Sequence, residues 1–214
     1  MNIKKVLIIL ILIITLTGCT KVSDLSYDEI LNNFAIKEKP ANAFRQGYKF
    51  YIPKRLSMKN AGINYAVLVN NDTTFYIYFD LISLSESKDI ESNFTGNGIY
   101  EKNFNYEDKK GYLAINLEEN NKYLIEIMYN YAKIELMVDE SKIKESLVYA
   151  ISILKSVKYD MSVVKDLLNS DDLDSTEEVY DMFNDVKKNS NSLDYSVDDD
   201  EIEEKIIKDT DYID

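Results

Sequence analysis

Residues 123–159, YLIEIMYNYAKIELMVDESKIKESLVYAISILKSVKY, change hydrophobic period part-way along, and that change sets the fold class. From Tyr123 to Tyr129 and from Ala132 to Val138 the side chains alternate, with Ile134, Leu136 and Val138 on one face and Lys133 and Glu135 on the other. This is the period of a strand that packs one face and leaves the other at least partly wet. Past Asp139, read as a helix N-cap, Ile143, Leu147, Ile151 and Leu154 recur at spacings of three and four. That spacing marks a helix with an apolar stripe wide enough to cover a sheet face. The expected fold is therefore α+β, a mainly antiparallel sheet covered by a long C-terminal helix.

The same alternation extends upstream. Gly111–Leu117 precedes Tyr123–Tyr129 across Asn120-Asn121, a hairpin signal, and Tyr100–Tyr106 reads as a further strand. Thr74–Ile82 is the clearest strand, with Phe75, Ile77, Phe79 and Leu81 on one face and Tyr76, Tyr78, Asp80 and Ile82 on the other. It pairs with Tyr65–Val69 through Asn70-Asn71-Asp72, because Asn and Asp tolerate positive φ. Tyr48–Ile52 is a strand stopped by Pro53, and Ser26-Tyr27-Asp28-Glu29 is a capping box opening a short helix to about Phe34. Downstream, Ser156–Tyr159 reads as a short strand and Val163–Leu168 as a further helical turn. Residues 26–168 thus form a single α+β domain in this reading.

Two segments carry a resemblance. Tyr48-Lys49-Phe50-Tyr51-Ile52-Pro53 is an aromatic strand ended by proline, and the late helix runs into Ile153-Leu154-Lys155-Ser156-Val157-Lys158-Tyr159. In this order they resemble PsbP-like lipoprotein domains, with the usual glycine-rich start reduced to Gly47. The resemblance implies an α/β/α sandwich and an accessory or assembly role without catalysis.

The N-terminus gives an address. Lys4 and Lys5 precede Val6–Leu16, which is apolar except for Thr15. This matches the charged and apolar regions of a secretory signal and is short for a spanning helix, which needs about 20 residues. It ends in Leu16-Thr17-Gly18-Cys19, which resembles the lipobox of bacterial lipoproteins. By that resemblance Leu16, Thr17 and Gly18 are the signal peptidase II recognition positions and Cys19 is the lipidated residue. Residues 1–18 are then a signal peptide, residues 19–25 a short tether, and the body is held at the extracytoplasmic face of a membrane by acyl chains, each buried methylene contributing about 0.8 kcal/mol.

Charge is concentrated at the other end. The 214-residue chain carries a net charge of −13, and residues 169–214 hold 17 acidic against 4 basic side chains, so the rest is neutral. A neutral body with an acidic tail argues against nucleic-acid binding, which needs a clustered basic surface. Within the tail, Val179, Met182, Phe183 and Val186 form an apolar stripe on one amphipathic helix near 176–188, and the run from Asp198 to Glu204 reads as solvated charge.

Composition also limits the chemistry. The chain has no histidine and a single cysteine, so His-based acid–base catalysis, internal disulfides and a His-rich metal centre are all excluded from expectation. No catalytic residue, cofactor or metal ligand is assigned. Ser152 and Lys155 match Ser-x-x-Lys spacing but fall on the packing helix, and Glu118-Glu119 sits in a hairpin turn. The abundant tyrosines are the candidate ligand or partner face: Tyr76, Tyr78, Tyr123, Tyr129 and Tyr131, each offering an apolar ring with a polar tip. Three readings follow: a non-catalytic binding or accessory module engaging an envelope protein or wall polymer, an envelope hydrolase using paired carboxylates, and a solute-capture protein. The small single body weighs against the last, since capture proteins usually have two lobes.

Overall fold

The alternating segments pair antiparallel, in two sheets. In chain order the strands are β1 (Ala43–Arg45), β2 (Tyr48–Phe50), β3 (Ser57–Ala61), β4 (Tyr65–Asn70), β5 (Thr73–Phe79), β6 (Tyr100–Tyr106), β7 (Lys109–Leu117), β8 (Lys122–Tyr129), β9 (Ala132–Asp139) and β10 (Lys158–Tyr159). The α-helices are α1 (Tyr27–Leu31), α2 (Leu81–Glu86), α3 (Ile143–Lys155) and α4 (Met161–Asn169). This computed structural model describes residues 21–71 and 73–170, which fall within one unit. Leu16, Thr17, Gly18 and Cys19, read above as resembling a lipobox, and the helix expected near 176–188 lie outside the described residues.

Seven strands form the main sheet in the order β3-β4-β5-β9-β8-β7-β6, and β1-β2-β10 form a small second sheet. Every pairing in both is antiparallel. The main sheet is two meanders, β3–β5 and β6–β9, joined where β5 pairs with β9. Turn chemistry sets the registers. Asn130 and Tyr131 both take positive φ (52° and 60°), so β8 and β9 join through a two-residue turn with Tyr129 opposite Ala132. Asn120 and Asn121 also take positive φ (58° and 56°), in a longer connection between β7 and β8 that holds a 3-10 turn over Glu119–Asn121.

One face of the main sheet is the core. Leu113, Ile115, Ile125, Ile127, Ile134 and Leu136 are all fully buried there, with Phe75, Ile77 and Phe79 from β5. Helix α3 lies against β8 and β9, burying Leu147, Ala150, Ile151 and Leu154. Each large apolar side chain so buried contributes about 1.5–3 kcal/mol. Gly111 lets the sheet close at its β6 edge: a Cβ there would meet the Met128 carbonyl at 2.4 Å and the Phe104 ring at 2.7 Å. The Phe104 ring continues inward onto Phe34 (5.0 Å) and stacks with Tyr129 (6.2 Å).

The capping box is present. Glu29 N–H donates to the Ser26 hydroxyl and the Ser26 N–H donates to the Glu29 carboxylate, after which α1 tightens into a 3-10 turn over Asn32–Ala35. Asp28 ties this helix to β6 by accepting from the Tyr100 hydroxyl (2.8 Å) and pairing with Lys102. Those two hydrogen bonds, Lys102 first, hold its carboxyl below the ordinary carboxylate range. A depressed folded pKa stabilises above the unfolded value and ceases to do so as pH falls through the folded one. The stability gap between the wild type and Asp28→Asn, read from urea midpoints, is therefore expected to be full near neutral pH and to close in strong acid. A gap independent of pH would remove this role from Asp28.

Several local expectations are corrected. Residues Leu81 and Ile82 continue the alternation of β5 but begin α2, because the Asp80 carboxylate accepts the Ser83 N–H at 2.9 Å and caps a helix there. Asp139 makes no side-chain cap; its carboxylate pairs with Lys122 at 2.8 Å, and a 3-10 turn over Glu140–Lys142 leads into α3. A long helix at the C-terminal end is not among the described elements: α3 has 13 residues and is followed by β10 and α4. The helical turn expected near Val163–Leu168 is α4, capped by the Asp160 carboxylate on the Ser162 and Val163 N–H groups. Among the described residues no helix is long and apolar enough to cross a membrane.

Candidate functional site

Alternation along the strands puts a second set of side chains on the sheet face opposite the core. Cross-strand register lines them up in rows. Tyr78 faces Lys133, which faces Met128, which faces Tyr112; beside them Tyr76 faces Glu135, which faces Glu126, which faces Ala114. Two carboxylates, an ammonium and three phenols thus share the middle of this outer face.

Lys133 and Glu135 read as the wetter side of β9, and the structure buries them instead: their side chains are 9% and 4% exposed, with Lys133 Nζ 2.7 Å from Glu135 Oε1. The cause is position. They sit on the central strand, flanked by Tyr76 and Tyr78 on one side and Glu126 and Met128 on the other, and these long side chains exclude water from both edges. Glu126 and Glu135 stand directly opposite each other, an arrangement that costs stability unless each charge is engaged. Both are engaged: Glu135 by Lys133, and Glu126 by the Tyr112 hydroxyl, which donates to its Oε1. The Phe94 ring meets Tyr112 edge-on at 6.1 Å, so the connection between α2 and β6 reaches this face. That connection is pinned by the Tyr131 hydroxyl donating to the Lys88 carbonyl and by the ion pair between Asp89 and Lys110. Mutual hydrogen bonding lowers the Asp89 pKa and raises that of Lys110.

The five tyrosines singled out in the sequence divide between two faces and a turn. Tyr76 and Tyr78 lie together on the outer face, half-buried and opposite Glu135 and Lys133. Tyr129 is 1% exposed on the core face, its hydroxyl donating to the Tyr106 carbonyl. Tyr123 is half-buried on that same core side, and Tyr131 occupies the β8–β9 turn. Tyr112, Glu126, Lys133 and Glu135 complete the outer-face cluster and were not among the sequence candidates. The signal for them was the two-residue turn at Asn130-Tyr131, which alone places residue 126 opposite residue 135.

The other chemical candidates fall apart from this cluster. Lys155 donates to the Phe34 carbonyl and lies over the Tyr106 ring at 5.3 Å, and burial lowers its pKa. Glu118 and Glu119 are exposed in the β7–β8 connection. Among the described residues no group of three or more acidic or thiol side chains is placed to hold a metal ion.

A polar cleft of about 530 Å³ opens elsewhere, between α3 and the β4–β5 turn, with Arg55 at its rim. Comparison with protein-family models gives no match for this chain, and comparison with curated proteins gives none either.

Proposed function

We propose that this protein is an extracytoplasmic lipoprotein, anchored to the cell membrane through lipid on Cys19, and that it acts as a non-catalytic binding or accessory module of the cell envelope. The outer sheet face is its recognition surface. The observation that carries this reading is the cluster itself: half-buried Tyr76 and Tyr78 stand across the strand from an ion pair whose charges neutralise each other. Aromatic rings beside a satisfied polar pair suit recognition, since tyrosine supplies contact area at low entropic cost. Proton transfer needs a group held at a poised pKa and within reach of substrate.

The PsbP-like sandwich belongs to the same proposal. The two segments that carry the resemblance meet in space: β10, at the end of the late helix segment, pairs with β2, with Lys158 opposite Lys49 and Tyr159 opposite Tyr48. That contact is consistent with the arrangement the resemblance implies, and the accessory role is part of the same proposal.

The test is site-directed photo-cross-linking in intact cells, with a photoreactive phenylalanine at position 76 and a control at the exposed Phe44. A defined envelope protein captured at position 76, absent at 44 and lost from cells carrying Tyr78→Ala, is the expected result. Identical products from both positions would overturn the assignment of this face. Fractionation of Cys19→Ala tests the anchor separately: the variant is expected to leave the membrane fraction.

The opposed carboxylates Glu126 and Glu135 favour a second reading, an envelope hydrolase. It requires that the protein release reducing ends from wall polysaccharide and that Glu126→Gln abolish the release.

A further inference from the structure

The cleft between α3 and the β4–β5 turn lies apart from the outer-face cluster, and its lining has a distinct chemistry. One wall is the exposed side of α3, with Glu145 and Tyr149; the other is the turn, with Asn70, Asn71 and Thr73; Arg55 stands at the rim. Its volume of about 530 Å³ falls in the range of small-ligand clefts, about 300–1,000 Å³. The polar groups form a short relay. The Tyr149 hydroxyl donates to Glu145 Oε1 at 3.1 Å, and the Arg55 guanidinium approaches the same oxygen at 3.6 Å. The Tyr149 ring is itself braced edge-on against the buried Phe75 (6.3 Å, 81°).

This combination selects among ligands. An anion trap is disfavoured because the Arg55 guanidinium already faces the Glu145 carboxylate and Lys142, the second cation of the lining, is itself engaged. An apolar ligand is disfavoured because amides, a hydroxyl and charges dominate the walls. A ligand bearing several neutral hydroxyls, each both donor and acceptor, fits. It can accept from the Arg55 fork and the Asn70 and Asn71 amides while donating to Glu145, and lay an apolar ring face on Tyr149. The Arg55–Glu145 pair is long and its side chains are 76% and 55% exposed, so a hydroxyl can enter between them at little cost. Arg55 is one of only two arginines among 25 basic residues, and its planar fork offers paired donors that lysine does not.

We infer that this cleft is a saccharide-binding site. That the natural ligand is a wall glycan rests on the extracytoplasmic reading above; the site itself does not. The full-length protein, extracted from membranes in a detergent without a sugar headgroup, is titrated calorimetrically with chitotetraose and with maltotetraose. Binding of at least one is expected, weakened about ten-fold or more by Arg55→Ala and by Glu145→Gln, the loss that follows from removing a charged hydrogen-bond partner. Phe44→Ala, at an exposed position that does not line the cleft, is expected to bind as the wild type does. Both altered side chains are exposed, so neither variant endangers the fold. No binding of either sugar by the wild type, or binding that both cleft variants leave intact, overturns the inference. Failure here leaves the Cys19→Ala fractionation and the position-76 cross-link untouched.

Discussion

Lys133→Ala is expected to destabilise the fold by about 3–5 kcal/mol, the cost of breaking a buried ion pair by removing one of its charges. The Lys133 ammonium lies 2.7 Å from Glu135 Oε1, with side-chain exposures of 9% and 4%. Removing it takes the ammonium away from the Glu135 carboxylate in a low-dielectric setting, with the Glu126 carboxylate directly across the strand. Glu126 gives no relief, since its own oxygen is taken by the Tyr112 hydroxyl. The reciprocal change is expected to behave differently. Lys133→Met combined with Glu135→Leu replaces both charges by apolar groups of similar length, and such replacements of buried pairs are often neutral or stabilising. The pair is thus expected to show strong non-additivity in a double-mutant cycle read by urea denaturation. A single-variant cost below about 1 kcal/mol, the range of exposed pairs, would show that water reaches this pair after all.

How much of this was legible in the sequence differs by feature. The opposition of Glu126 and Glu135 follows from a two-residue turn at Asn130-Tyr131, and asparagine is a strong mark of such turns. Which face Lys133 and Glu135 occupy follows from alternation. Their burial does not, because alternation assigns faces and says nothing of what lies beside a central strand. Neighbouring β5 and β8 supply the tyrosines, Met128 and Glu126, and their adjacency is set by a long connection from β5 to the far edge strand β6. The strand β3 is hidden for a local reason: a register shift between Met58 and Asn60 breaks the period that would reveal it. β1 has only three residues, too few for a period to show. At Asp80, helix capping overrides an alternation that runs on through Leu81. The cleft has no sequence signature, since Arg55, the Asn70–Asn71 turn and the Glu145–Tyr149 helix turn come from three separate regions brought together by the β4–β5 hairpin and α3.

Phe79→Ala is expected to cost a comparable 3–5 kcal/mol, through a different mechanism. Phe79 ends β5 and is fully buried. Its ring stacks on Tyr48 at 3.9 Å and meets Phe50 at 5.6 Å, so it is one of the side chains through which the main sheet grips the three-stranded sheet. Truncation removes the ring's transfer energy, leaves a cavity that the strands on either side cannot close, and loses two aromatic contacts. The damage is expected to spread unevenly. Tyr48 and Phe50 both belong to β2, and β2 is the strand that β10 pairs with. Tyr159 on β10 in turn donates its buried hydroxyl to the Asn130 carbonyl at 3.0 Å, and burial raises its pKa well above the ordinary phenol value. Loosening Phe79 therefore weakens the small sheet and, through Tyr159, its hold on the β8–β9 turn. Amide hydrogen exchange is the measurement that separates this from uniform destabilisation. Protection in β1, β2 and β10 is expected to fall further than protection in β7 and β8. An equal fall everywhere would mean that the two sheets unfold as one unit and that Phe79 is an ordinary core residue.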